Sequence, residues 1–312
     1  MYFPYLRGRQ YELLALSELV DSKRLGKHVI PVIEPIKLSS TLINTLNSYI
    51  QNENQIAIIH NPRVGSFLKD LKDEKKSEIL KKYEELLRNQ LVIKAHIFNT
   101  SSQSELTQLK IKEFNKKDLM VICNNRDFID LYSEEFSTES PRYSLIPDES
   151  VFRRKIKSNR ILLDDKFEKQ NRNTDYAEID EPFSDDHLFY QDDGFIGFSD
   201  YSIVGNNFLE AGFAPYAVAL HVVYFAEDKS LRIKHFVSDS NEDITNPAGK
   251  FYEALKKLNN WDMTHKMNTL GLEQLLTHLK HETYPGLGTV KKLSMMHHIE
   301  LIGQYLDGVE QS

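Results

Sequence analysis

Polar residues that can carry chemistry recur just after, or within, short apolar runs along the first three quarters of the chain. A group of carboxylates, amides and imidazoles can bind a hard divalent cation through its oxygen atoms. The same residue types transfer protons when burial raises the pKa of a carboxyl group. In chain order the candidates are Glu34, His60 with Asn61, Lys94 with His96, Asn124 with Asn125, Asp148, Asp164 with Asp165, Asp200 with Tyr201, and His221.

Roles within this set follow from side-chain chemistry. As catalytic residues we predict Glu34, Asp200 and His221. A divalent cation is the cofactor that such a set would bind, and we predict Glu34, Asp164 and Asp200 as its ligands. Contacts to substrate are assigned to four of the amide, amine and phenol groups, which are Asn61, Lys94, Asn124 and Tyr201.

Each candidate also has a structural interpretation, since charged residues after strands commonly cap helices or face solvent. Pro35 holds the backbone of Glu34 extended, and Glu34 could equally pair with a core arginine. His221 lies among apolar neighbours, where a hydrogen-bonded core histidine is the alternative to a base. Asp164 and Asp165 point in opposite directions on a strand, so one of the two is expected to face a site.

The elements that must position these residues are short runs rich in Ile, Val, Leu and Phe, separated by polar amphipathic stretches. This alternation predicts buried parallel strands with crossover helices. Eight units predict a (β/α)8 TIM-barrel-like fold, whose functional side chains lie at the carboxyl ends of the strands. An open doubly wound sheet is the alternative. The predicted strands are His28–Ile33, Gln55–His60, Leu91–Phe98, Leu119–Cys123, Tyr143–Ile146, Arg160–Leu163, Phe195–Phe198 and Ala217–Phe225.

Two regions depart from the βα repeat. Residues 166–191 are strongly polar and predict a long loop or lid with little core of its own. Beyond residue 248 the pattern is helical almost to the end of the chain. We therefore predict a barrel-like domain over residues 1–248 and a helical carboxyl-terminal extension over residues 249–312 that packs on it.

Bulk composition narrows the class of protein. The formal net charge of −7 does not indicate nucleic-acid binding, although a local basic patch stays open. Cys123 is the single cysteine, which excludes an intramolecular disulfide. The amino terminus lacks the pattern of a signal peptide, and no apolar run approaches the roughly 20 residues of a membrane span. We expect a cytoplasmic protein that does not enter the membrane.

Four stretches carry a family resemblance. They are Tyr2–Gly8 with the following Glu12 and Leu16, Pro31–Ile36, Gly197–Tyr201 and Ala219–His221. In these stretches the chain resembles the Beta-protein family of bacteria and phages, and the resemblance extends over most of the sequence. It implies an association with phage defence or mobile elements, and it implies no particular catalytic residue or cofactor.

Two functional hypotheses follow. The first is a barrel enzyme, a metal-assisted hydrolase of a phosphate-containing substrate, in which the carboxylates bind the ion and His221 transfers protons. The alternative is a non-enzymatic recognition subunit of a phage-defence system. Such a subunit would bind a protein partner through the barrel mouth and the acidic 166–191 segment.

Overall fold

The computed structural model describes residues 1–111, 114–208, 216–265 and 267–309, with the backbone alone described for Thr264. The chain forms two compact units that alternate along the sequence. The first, called the barrel unit, comprises Met1–Leu13, Val29–Asp165 and Asp186–Tyr201. The second, called the helical unit, comprises Leu14–His28, Lys166–Asp185 and Ser202–Ser312. This division differs from the predicted boundary at residue 248.

The strands and helices alternate through most of the barrel unit. In chain order the strands are β1 Tyr5–Leu6, β2 Val32–Ile33, β3 Ile56–Ile59, β4 Val92–Ile97, β5 Met120–Ile122, β6 Tyr143–Ile146, β7 Arg160–Leu163, β8 Asp180–Ser184, β9 Gly197–Ser199, β10 Ala219–Phe225 and β11 Leu231–Val237. The helices are α1 Gln10–Asp21, α2 Ser40–Gln51, α3 Phe67–Asp70, α4 Ser77–Leu86, α5 Ser102–Ile111, α6 Ile129–Glu135, α7 Ser150–Lys155, α8 Asp186–Phe189, α9 Pro247–His265, α10 Leu270–Lys280 and α11 Leu287–Leu306.

The described part of the barrel unit contains eight parallel strands in the order β1-β2-β3-β4-β5-β6-β7-β9. Backbone hydrogen bonds bring the first and last strands together: the Phe3 N–H donates to the Phe198 carbonyl (2.8 Å) and the Tyr5 N–H to the Asp200 carbonyl (2.8 Å). The predicted TIM-barrel-like α/β fold is therefore confirmed. The helices predicted at the carboxyl terminus are present as α9, α10 and α11.

The identity of one barrel strand differs from the prediction. The sequence predicts Ala217–Phe225 as a barrel strand, but β10 pairs antiparallel with β11 in a separate sheet. The missing strand is β1, which is two residues long and is parallel to β2. Seven of the predicted strands are correct in place, whereas this one is wrong. A two-residue strand between a proline and an arginine has no apolar run to signal it.

The barrel interior is filled by alternate residues of its strands. The inward-facing cluster contains Phe3, Tyr5, Ile30, Val32, Ala57, Ile59, Ile93, Ala95, Ile97, Met120, Ile122, Leu145, Ile161, Leu163 and Tyr201. Because successive side chains of a strand face opposite sides, this cluster fixes the register of every strand end. Glu34 follows Val32 by two residues, and Asp165 follows Leu163 by two residues, so each continues the inward-facing side of its strand.

The helical unit contains, within the described residues, a three-stranded antiparallel sheet in the order β10-β11-β8. Helix α11 packs on this sheet, where buried His297 contacts the Val223 carbonyl through Nε2 (2.7 Å) and the Thr269 hydroxyl through Nδ1 (2.8 Å). Burial lowers the pKa of His297 to about 4, so this imidazole is neutral at neutral pH. It holds the helix against the strand.

The polar segment 166–191 is more ordered than predicted. It contains β8, which pairs with β11, and its widely spaced aromatic residues Phe167, Tyr176 and Phe183 are all buried. The prediction of a lid with little core is wrong for this reason. Single aromatic anchors at intervals of seven to nine residues match neither the helix period nor the strand period, so a periodicity search does not find them.

None of the helices described is both long and apolar enough to cross a membrane. Cys123 is buried directly after β5, and burial raises the pKa of its thiol to about 12. The thiol is therefore protonated and unreactive at neutral pH.

Candidate functional site

A buried carboxylate organises the carboxyl ends of the first three barrel strands. Glu34 directly follows β2, and none of its surface is exposed. Its Oε2 atom accepts hydrogen bonds from the Tyr5 hydroxyl (2.7 Å) and from Nη1 of Arg7, while Oε1 accepts from the backbone N–H of Arg63 (2.7 Å). A buried charge requires such partners, and the arginine that pairs with Glu34 is Arg7.

The guanidinium of Arg7 lies beside two aromatic rings. Its central carbon is 5.4 Å from the ring centre of Tyr5 and 5.6 Å from that of Tyr201. The two rings are themselves 4.9 Å apart. Cation–π attraction therefore adds to the ion pair with Glu34 in fixing the position of Arg7 at the mouth of the barrel.

A second arginine extends from the loop after β3. The Nη2 atom of Arg63 donates to the carbonyl of Phe98, the residue after β4, at 2.6 Å. Arg63 is exposed to solvent, and its guanidinium forms no ion pair with any carboxylate of the described residues. The side chain of Arg63 is thus anchored at one nitrogen and presents an uncompensated positive charge at the mouth.

Two glycines with left-handed backbone conformations shape the loops that carry these arginines. Gly8 follows Arg7 with a φ of 63°, and Gly65 follows Arg63 two residues later with a φ of 78°. A Cβ atom on Gly65 would lie 2.2 Å from the carbonyl oxygen of Ile36. The loop after β3 can therefore lie against the segment after β2 only with glycine at this position.

The tyrosines of the site retain their protons at neutral pH. Burial raises the pKa of Tyr201 to about 12, with smaller effects from the charges of Arg7, Glu34, Asp165 and Arg63. Burial, followed by the charge of Glu34, raises the pKa of Tyr5 well above its usual value. Both phenols are hydrogen-bond donors under these conditions.

The three predicted metal ligands do not come together. Strand alternation places Asp200 on the opposite side of its strand from Tyr201, and its Oδ1 accepts from the Tyr2 hydroxyl (2.8 Å). Asp164 is exposed and accepts from the backbone N–H of Asp165 (2.8 Å). Throughout the described part of the chain, no group of three His, Cys, Asp or Glu side chains is arranged to hold a metal ion.

Two of the predicted substrate contacts have structural partners. The amide of Asn61 pairs with both backbone atoms of Ile97, receiving from its N–H (2.9 Å) and donating to its carbonyl (2.8 Å). It also donates to Glu105 (2.8 Å). Lys94 is buried, with its ammonium 3.1 Å above the ring of Phe114. Asn61 therefore braces the loop that carries Arg63, and Lys94 does not face the barrel interior.

Of the other predicted contacts, Tyr201 lies in the site and Asn124 is exposed just beyond β5. Alternation from Ile122 directs Asn124 toward the mouth. The charge of Arg63 lowers the pKa of the neighbouring Cys123 thiol, against the larger raising effect of burial.

His60 and His96 form a hydrogen-bonded chain on the outer surface of the barrel strands. Nε2 of His60 contacts Nδ1 of His96 (2.8 Å), and Nε2 of His96 contacts the Ser102 hydroxyl (2.8 Å). Burial, followed by the charge of Arg63, lowers the pKa of His96 to about 3. Ser102 is completely buried, so this chain positions helix α5 and offers no accessible nucleophile.

His221 belongs to the helical unit, and the prediction that it faces the mouth of the barrel on its last strand is wrong. It lies on β10 directly opposite His235 of β11, and the two Nδ1 atoms are 2.7 Å apart. The aromatic rings of Phe167 and Tyr176 enclose the pair. The alternative considered from the sequence, a hydrogen-bonded histidine among apolar neighbours, describes this arrangement.

Both histidines of this pair are neutral at neutral pH. Burial lowers the pKa of His221 well below its usual value, with further lowering by His235 and Lys291. Burial also lowers the pKa of His235 to about 4, against a raising effect of Asp180. Protonation of the pair is therefore opposed in the folded state.

Sequence reasoning missed Arg7 and Arg63, which supply the positive charges of the site. An arginine in a loop is typical of solvated surface, so neither residue type nor spacing separates these two from the other arginines. The available signal was the glycine near each: Arg7-Gly8 and Arg63-Val64-Gly65.

We expect Glu34→Ala to lower the free energy of unfolding by about 3–5 kcal/mol, because it removes the buried carboxylate that pairs with Arg7. Urea denaturation at neutral pH measures this change. Glu139→Ala is the control, since this exposed carboxylate should contribute less than about 0.5 kcal/mol. Equal effects of the two substitutions would contradict the central position given to Glu34.

Gly65→Ala should destabilise the protein by more than the roughly 1 kcal/mol that a left-handed backbone alone imposes on alanine. The additional cost comes from the clash with the Ile36 carbonyl. The matched control is Gly308→Ala, since Gly308 has a φ of 72° and no atom of the described residues lies within 4 Å of the added methyl group. Thermal denaturation of both variants separates backbone strain from steric overlap, and similar losses would argue against the close approach.

The histidine pair predicts acid sensitivity. Because its pKa values are lowered in the folded state, its contribution to stability is fully present above about pH 6.5 and is lost as pH falls, since the unfolded chain binds the protons. For each additional proton that the unfolded chain binds, the free energy of unfolding falls by about 1.4 kcal/mol more per pH unit. We expect the double substitution His221→Gln/His235→Gln to reduce the pH dependence of the free energy of unfolding between about pH 7 and pH 5, as measured by urea denaturation. An unchanged slope, matching that of exposed His281→Gln, would refute this.

Comparison of the chain with protein-family models, with curated proteins and with solved structures gives no match. The resemblance to the Beta-protein family therefore stays a prediction. Three of the stretches that carry it contribute side chains to the site, namely Tyr5 with Arg7, Glu34 and Tyr201.

Proposed function

We propose that the barrel binds a small molecule bearing an oxyanion at the carboxyl ends of its strands, with Arg63 as the principal anion-binding group. The observation that carries this proposal is the guanidinium of Arg63, which is exposed, anchored at the Phe98 carbonyl, and in no ion pair with the carboxylates of the described chain. A planar guanidinium with remaining N–H donors matches carboxylate and phosphoryl oxygens.

The surroundings of Arg63 preorganise the site. Its backbone N–H is bonded to Glu34, and the same carboxylate pairs with Arg7. A bound anion would therefore meet a guanidinium whose loop is already held in place, which lowers the entropy cost of binding. Tyr201, whose ring lies beside Arg7, keeps its hydroxyl proton at neutral pH and would supply a further donor.

Hydrolysis of a phosphate-containing substrate remains a prediction within this proposal. Arg63 would stabilise negative charge on the substrate oxygens. Asp165 is the carboxylate close to Tyr201 on the inward side of its strand, which makes it the general-base candidate in place of Asp200. A divalent cation would require ligands other than the combination of Glu34, Asp164 and Asp200, because these three point in different directions.

The direct test compares Arg63→Gln with Arg126→Gln. Arg126 lies in the loop after β5 and is also exposed, but its Nε already donates to Glu149 (2.7 Å). Wild-type protein and Arg126→Gln should be stabilised against heat by acetate, methanesulfonate or methyl phosphate at constant ionic strength, because a ligand that binds the native state raises stability. Arg63→Gln should bind these anions about tenfold more weakly or worse.

Two results would overturn the proposal: equal stabilisation of Arg63→Gln and wild type, or no stabilisation of wild type by any of the anions. Either would leave the alternative of a recognition subunit, for which a macromolecular partner would be sought.

A further inference from the structure

We infer that Glu105 is a positioning residue of the anion site: it holds the Phe98 carbonyl, and through that carbonyl the guanidinium of Arg63, without contacting the ligand. This inference rests on the proposed function, because it concerns the group assigned there to bind the anion. Glu105 lies in the first turn of α5, the helix that follows β4. It is not among the site residues predicted from the sequence.

The carboxylate of Glu105 and the carbonyl of Ile97 share the same two hydrogen-bond donors. Nδ2 of Asn61 donates to the Ile97 carbonyl (2.8 Å) and to Oε2 of Glu105 (2.8 Å). Nδ2 of Asn99 donates to the same two oxygens, at 3.2 Å and 3.1 Å. A side-chain amide has two N–H donors, so both amides use all of theirs. The four groups form a closed ring that joins the loop after β3, the end of β4 and helix α5.

The residue that anchors Arg63 lies between two members of this ring. Phe98 stands between Ile97 and Asn99 in the chain. Its own N–H donates to the Ile122 carbonyl (2.9 Å), which fixes it to β5. Its carbonyl accepts from Nη2 of Arg63 (2.6 Å). The ring therefore sets the position of this carbonyl, and the direction of the guanidinium follows from it.

The same ring holds the loop from which Arg63 extends. Asn61 precedes Arg63 by two residues, and its Oδ1 accepts from the N–H of Ile97 (2.9 Å). One carboxylate oxygen thus relates the loop that carries the arginine to the carbonyl that holds the tip of its side chain. Asn61 is buried and Asn99 is half-buried. Loss of the oxygen would leave an N–H of each amide unpaired, which favours rearrangement of both loops.

Glu105 acts in this ring as a hydrogen-bond acceptor, and the role does not require its charge. Among the described residues, the only basic group within 4 Å of its carboxylate is the imidazole of His96, whose Nδ1 is 3.9 Å from Oε2. Burial lowers the pKa of His96 to about 3, so this imidazole is uncharged at neutral pH. An amide oxygen at position 105 could accept the same two bonds. Substitution can therefore separate the acceptor from the charge.

The charge of Glu105 and its role as an acceptor predict opposite effects on anion binding. A carboxylate on the loops of an anion site repels the anion, so its removal alone would strengthen binding or leave it unchanged. Loss of the acceptor would release the guanidinium from one fixed position, and the lost preorganisation weakens binding. The sign of the change in affinity therefore identifies the role.

The experiment compares Glu105→Ala with Glu105→Gln in titrations with acetate, methanesulfonate and methyl phosphate at neutral pH and constant ionic strength. Both substitutions remove the charge and keep a good helix former, whereas only glutamine keeps the acceptor oxygen. We expect Glu105→Ala to bind the anions about threefold to tenfold more weakly than Glu105→Gln. Glu105→Gln should bind them at least as tightly as wild type. Equal affinities of the two variants, or tighter binding by Glu105→Ala, would overturn the inference.

The side-chain N–H signal of Arg63 in NMR spectra reports the position of the guanidinium without any anion. Its loss in Arg63→Gln assigns it. We expect this signal to shift or broaden more in Glu105→Ala than in Glu105→Gln. Thr45→Ala is the control for a general loss of packing, because it removes a buried hydroxyl that donates to the Leu13 carbonyl (3.2 Å) on α1. Equal changes in the two Glu105 variants, or an equal change in Thr45→Ala, would overturn the inference.

Failure of the inference and failure of the proposed function give different results. If the anions bind through Arg63 but Glu105→Ala binds them as Glu105→Gln does, the positioning role fails and the anion site stands. If no anion binds wild type, or if Arg63→Gln binds them as wild type does, the proposed function fails and the inference fails with it.

Discussion

The burial of the Glu34 carboxylate is the constraint on which the mouth of the barrel depends. A charge with no exposed surface is tolerated only when its oxygens are occupied by donors, and here the donors come from Tyr5, Arg7 and the backbone of Arg63. These donors belong to the segments that end β1 and β3, which flank β2. One carboxylate therefore joins three successive strand ends and fixes the positions of both arginines.

The same constraint explains why the short strand β1 can close the barrel. Two residues form few ladder hydrogen bonds, yet Phe3 and Tyr5 bond to the last strand on one side while the Val32 N–H donates to the Pro4 carbonyl (2.9 Å) on the other. Interior packing of the Phe3 and Tyr5 rings adds burial of apolar surface. Tyr5 thus contributes to closure through its backbone and ring, and to the site through its hydroxyl.

Much of the barrel could be predicted from sequence, because its longer parallel strands are buried on both faces and read as apolar runs. The site was less predictable for a specific reason. Choosing between Asp164 and Asp165, or between Asp200 and Tyr201, needs the register of a strand to within one residue, and an apolar run does not supply it. The closing strand β1 has only two residues and gives no signal in the sequence, so the long apolar run of β10 is predicted in its place. His221, which is predicted to be catalytic, therefore lies in a histidine pair in another sheet.

The arrangement of charge separates two roles that the sequence could not distinguish. Arg7 is neutralised by Glu34 and enclosed by two rings, so its charge contributes to the architecture of the mouth. Arg63 uses its backbone and one guanidinium nitrogen for anchoring, and keeps its charge uncompensated. An exposed cation held in place without a carboxylate gains little for stability, since surface ion pairs and solvated charges contribute close to nothing. The loop after β3, with Gly65 and the acceptor carbonyl of Phe98, orients this one guanidinium. An anionic ligand that completes the site would explain why the chain orients it.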